Sequence, residues 1–71
     1  MTSTPRLLTI PSEAIIGTHT KGVIRAWVDG NGEITVVKTA GMETAAKLKA
    51  AVALMNLAER EGFSPKGVAF F

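Results

Sequence analysis

His19 is the chain's one histidine, and its carboxylates are six: Glu13, Asp29, Glu33, Glu43, Glu59 and Glu61. Acid–base catalysis by His19 requires a partner within hydrogen-bond reach, and a nucleophile requires an adjacent base. His19 stands between two threonines, with no such group near it in sequence. It reads as a surface histidine. The carboxylates are scattered over turns and helix ends, where capping and solubility account for them. Asp29 and Glu33 flank a turn, but two carboxylates without a glycine-punctuated loop of further ligands make a poor calcium site. The absence of cysteine excludes thiolate nucleophiles, zinc–thiolate clusters and disulfides.

Phosphate chemistry fares no better. Gly30-Asn31-Gly32 lies between two β-prone runs, so it lacks the helix N-terminus that supplies converging amides to a phosphate. Gly41 does precede a helical segment carrying Lys47 and Lys49, yet the spacing of a phosphate-binding loop is absent. The sequence therefore predicts no enzyme: no catalytic residue, no cofactor site and no metal site.

What remains is recognition, and here the residue types are suggestive. Trp and Arg are the types most enriched where interface energy concentrates. The single tryptophan, Trp27, has Arg25 two residues before it, in a segment with Val23, Thr35 and Val37 at the same parity. These five are the predicted protein-binding residues. An alternative set for nucleic acid combines Arg25, Trp27, Lys38, Lys47, Lys49 and Arg60, with the indole stacking on single-stranded bases and the cations meeting phosphates. Against it stands a formal charge of only +2, with basic residues dispersed and never in a run.

These side chains need elements to hold them. Val23–Val28 and Glu33–Lys38 are rich in β-branched residues and joined by turn chemistry, which predicts a hairpin over 23–38. A two-residue loop would mix polar and apolar residues on both faces. A three-residue loop, Gly30-Asn31-Gly32 with Gly32 left-handed in a bulge, sets Val28 opposite Ile34 and Ala26 opposite Val36. Ile24 then completes an apolar face, and Trp27 points to the other side.

Residues 42–61 predict a long C-terminal helix, with Glu43 in its first turn, Arg60 in its last, Gly62 as a left-handed stop, Phe63 closing the cap and Pro65 preventing continuation. Leu48, Ala51, Val52, Leu54, Met55, Leu57 and Ala58 form an apolar arc wider than the stripe of about 100° that one sheet covers. Arg6–Pro11 predicts an edge strand, Ala14–Thr20 a strand running into a turn at Lys21-Gly22, and 67–71 a short docking strand. Met1–Pro5 is expected to be frayed.

The fold expected is α+β, a small antiparallel sheet packed against one helix, as a single domain over 1–71. So small a domain removes only about 60% of its unfolded surface from water. With 46% of residues hydrophobic but 6% aromatic, its apolar area exceeds what one copy buries. That excess predicts a homodimer through the helix's second flank or a sheet edge. No apolar run approaches a membrane span and no signal peptide is evident, so a cytoplasmic protein is expected.

The helix segment "TAAKLKAAVAL" after a hairpin resembles the second half of a double-stranded RNA-binding domain, which implies phosphate contacts from lysines. This chain has Met42, Glu43 and Thr44 where those domains carry a lysine cluster, and it lacks their first helix. The plan of hairpin, Ala-rich helix and "GFSP" exit also resembles the small inhibitor proteins that bacteriophages encode, anti-CRISPR proteins among them. That resemblance implies a phage or mobile-element inhibitor acting by occupying a surface of a larger complex.

Overall fold

The computed structural model describes residues 4–17 and 21–71. Strands β1 (Arg6–Pro11), β2 (Val23–Val28), β3 (Glu33–Val36) and β4 (Gly67–Phe70) form one sheet in the order β1-β2-β3-β4, with helix α1 (Thr44–Arg60) between β3 and β4. The class is α+β, as the sequence predicts. The sheet, however, is mixed: β1–β2 and β2–β3 are antiparallel, whereas β3 and β4 are parallel. Parallel neighbours require a crossover of a dozen or more residues. The 17-residue helix supplies it, so α1 is a connection between strands and does not close the fold.

The hairpin takes the bulged register. Val28 pairs with Ile34 and Ala26 with Val36, and Gly32 has φ +84°. Strict alternation follows: in β2 the residues Ile24, Ala26 and Val28 are buried, while Val23, Arg25 and Trp27 are exposed. Both Asp29 and its neighbours lock the loop, because one carboxylate oxygen accepts from the amides of Asn31 (2.9 Å) and Glu33 (3.0 Å).

The core lies between one face of the sheet and α1. Leu8, Ile24, Ala26, Val28, Ile34 and Val36 meet Ala50, Leu54 and Ala58, with Ile15 at the margin. Alanine at 50 and 58 lets the helix approach the sheet closely, and Leu54 fills the space between those contacts. The helix touches both edge strands, β1 and β4. It ends as predicted: the amide of Phe63 donates to the Ala58 carbonyl and that of Gly62 to Glu59, with Gly62 at φ +91°, a Schellman closure.

Two expectations are corrected here. Ala14 belongs to a short 3₁₀ turn, Ser12–Ala14, and not to a strand; the amides of Ile15 and Ile16 both fold back on the Ser12 carbonyl. Thr18 to Thr20, the rest of that predicted strand, and with them His19, fall outside the described residues, as do residues 1–3. The helix spans Thr44–Arg60 and not 42–61, so Glu43 stands at the N-cap position, outside the first turn and without a side-chain capping bond. Leu48 and Val52, at one end of the predicted arc, stay exposed at 65% and 61%, in keeping with an arc wider than one sheet covers. A sheet this narrow covers one stripe of the helix, and those two residues lie beyond it.

Candidate functional site

With α1 on one face of the sheet, no described element covers the other. Strand pleating sends alternate residues there: Leu7 and Thr9 from β1, Val23, Arg25 and Trp27 from β2, Thr35 and Val37 from the β3 segment, and Ala69 from β4. Trp27 occupies the middle. It pairs with Leu7 on one side and Thr35 on the other, and the next strand beyond Thr35 presents Ala69. Trp27 is 44% exposed, Leu7 43%, Val23 44% and Val37 43%, and Phe71 beside them is 71% exposed. Large apolar side chains rarely gather so on the surface of a monomer without a contact to make.

Beside Trp27 the face dips into a pocket of about 360 Å³. Val23, Arg25 and Trp27 form its β2 wall, Val37 and Lys38 face them, and the Thr39–Met42 loop closes the far end together with Ser12 and Ile16. Thr39 anchors that loop: its hydroxyl and its amide both donate to the Phe71 carbonyl, at 2.7 and 2.9 Å. Lys38 has φ +60°, a conformation that costs a lysine on the order of 1 kcal/mol. It is held there by the turn from β3 into the loop.

The charged residues that line the pocket, Arg25 and Lys38, are both cationic. The ion pair between Arg6 and Glu61, 3.4 Å apart, is the one salt bridge among the described residues, so Arg25 and Lys38 carry uncompensated charge at the pocket wall. The nearest acidic groups along the ribbon, Asp29 and Glu33, sit at its other end beside the loop. Among the described residues no three His, Asp or Glu side chains gather to hold a metal.

Four of the five residues predicted to bind protein, Val23, Arg25, Trp27 and Val37, line this pocket, and Thr35 lies next to Trp27 on the same face. The nucleic-acid set is divided. Arg25, Trp27 and Lys38 meet at the pocket, while Lys47, Lys49 and Arg60 ride on α1, in the other layer. The Lys47 ammonium is engaged over the Phe70 ring, 5.9 Å from its centroid. Sequence reasoning passed over Leu7, the 39–42 loop and Phe71. Leu7 was open to the parity argument, since Leu8 and Ile10 point to the core.

Comparison with protein-family models, with curated proteins and with solved structures gives no match. No described helix is long and apolar enough to cross a membrane.

Proposed function

We propose that this protein is a non-enzymatic binding module that docks its open sheet face on a partner protein bearing an apolar ridge with acidic groups at its border. One observation carries the reading: Trp27 stands exposed at the centre of a sheet face that no described element covers, with exposed Leu7, Val23 and Val37 on the same face and with Arg25 and Lys38, which form no ion pair among the described residues, at the pocket beside it. A central aromatic anchor with a charged rim is the anatomy of an interface hot spot. Arg25 and Lys38 favour acidic partner groups and steer their approach. In the cell such a module acts by occupancy, as a phage or mobile-element inhibitor of a larger complex does, and needs no catalytic group. A cytoplasmic setting suits a partner of that kind.

A second reading draws on the meeting of Arg25, Trp27 and Lys38 around one pocket, which suits a base stacked on the indole with its phosphate on the cations. The position of Lys47, Lys49 and Arg60 in the helix layer weighs against it, because a strand on the sheet face cannot reach them.

The deciding experiment compares proteins captured from producing cells by the unaltered chain and by Trp27→Ala, alongside oligonucleotide titrations at two salt concentrations. Proteins retained by the first and lost by the second support docking through this face. Oligonucleotide binding that falls steeply with salt and is lost in Trp27→Ala overturns it in favour of nucleic acid.

A further inference from the structure

Strand β4 is an edge, and its main chain is half used. The Phe71 amide donates to the Val36 carbonyl and the Phe71 carbonyl accepts from Thr39, so Phe71 turns its backbone groups toward β3. With a period of two, Ala69 and Gly67 do the same, and the N–H and C=O groups of Val68 and Phe70 point outward from the sheet. Natural edges are blunted by proline, inward-pointing charge or a bulge. Gly67-Val68-Ala69-Phe70 has neither proline nor charge.

The same side of the molecule carries an apolar helix flank. Lys47 lies over Phe70, which places that side of α1 above β4. Ala51 and Met55, one and two turns on, continue its row and are half-buried. Leu48, on the adjoining row, is 65% exposed. An open strand edge and a neighbouring apolar helix stripe thus face one direction.

From this we infer that the protein forms a two-fold homodimer by antiparallel pairing of β4 with β4 of a second copy, the two α1 helices packing along their Leu48, Ala51 and Met55 flanks. A register centred on Ala69 sets Val68 opposite Phe70 of the second copy and joins all four outward main-chain groups of each strand. A donated peptide strand would satisfy the edge and leave the helix flank bare. A second copy brings both features at once, related by the two-fold axis that an isologous interface requires. The result is a continuous eight-stranded sheet whose two Trp27 faces lie on the same side.

The symmetry makes a sharp test. Centring on Ala69 sets the two Ala69 residues in a non-hydrogen-bonded pair with Cα atoms about 4.5 Å apart, within the span of a disulfide. The chain has no cysteine, and the Ala69 side chain is exposed. Sedimentation velocity of the unaltered chain from micromolar to several hundred micromolar is expected to show a monomer–dimer equilibrium. Ala69→Cys should give a disulfide-linked dimer under mild oxidation, while Ala45→Cys, exposed on α1, should not. Leu48→Glu, which leaves the core untouched, should raise the dissociation constant at least about tenfold by placing charge in the apolar contact. A chain that stays monomeric throughout, or a dimer in which Ala69→Cys cross-links no faster than Ala45→Cys, overturns the proposal.

Discussion

Leu7 and Trp27 sit directly opposite each other across the β1–β2 ladder, and each keeps more than two-fifths of its surface in water. Cross-strand pairs of this kind stabilise a sheet by a few tenths to about 1 kcal/mol. That is small beside what the same two side chains would release on being covered fully, at roughly 25 cal/mol per Å² of apolar surface. The pair therefore contributes little to folding and much to any contact made on this face.

Replacing Trp27 by Ala should consequently leave the fold intact. A fully buried tryptophan truncated to alanine costs about 3–5 kcal/mol. At 44% exposure, with Leu7 and Thr35 as its ladder neighbours, the expected cost is about 1 kcal/mol, read as a small shift in the urea midpoint. The indole should also be quenched efficiently by acrylamide in the free protein. Resistance to quenching, or loss of the folding transition in the variant, would contradict an outward Trp27.

The helix offers a paired comparison. Leu54 is fully buried between Ala50 and Ala58, whereas Leu48, on the other side of α1, is 65% exposed. Leu54→Ala should cost about 2–5 kcal/mol, enough to unfold a marginal domain of this size. Leu48→Ala should stay within about 0.5 kcal/mol at concentrations where the chain is monomeric. Thermal melts of both variants in dilute solution check the pair, and equal losses would mean that the helix is rotated from the orientation described.

The hairpin register was open to sequence reasoning because one glycine conformation decides it: with Gly32 left-handed, every aliphatic residue of 24–36 falls on one side and Trp27 on the other. The helix stop was equally plain, since Gly62, Phe63 and Pro65 each act within a few residues of the end. Long-range choices left no such mark. "GVAFF" reads alike beside a parallel or an antiparallel neighbour, and only the crossover through α1 sets it parallel to β3. Ile15 and Ile16 look equally strand-like, yet the 3₁₀ turn buries the first and exposes the second. For the site, parity alone placed Trp27, Arg25, Val23, Thr35 and Val37 together. The 39–42 wall was invisible because Thr39 is fixed by a residue 32 positions away.

That anchor is itself testable. The Thr39 side chain is 7% exposed and its hydroxyl donates to Phe71 at 2.7 Å. Thr39→Val preserves shape and removes that bond, while the amide of residue 39 still reaches the same carbonyl. The expected loss is about 1 kcal/mol. Faster hydrogen exchange should be confined to the 39–42 loop and the Phe71 amide, and uniform acceleration across the sheet would show that the bond has no local role.

Gly32 and Gly62 separate backbone conformation from close approach. Both have positive φ, +84° and +91°. An added Cβ at Gly62 meets open space, so Gly62→Ala should cost only the left-handed penalty of about 1–2 kcal/mol. At Gly32 the same atom would collide with the Ser64 carbonyl, in the segment whose Lys66 amide donates to Gly32 at 2.8 Å. That carbonyl is main chain and cannot rotate away, so the hairpin loop and the entry to β4 must part. Gly32→Ala is therefore expected to cost at least about 1 kcal/mol more than Gly62→Ala in urea denaturation. Equal costs would show that the loop does not lean on the Ser64–Lys66 segment, and that β4 is held against β3 by its ladder alone.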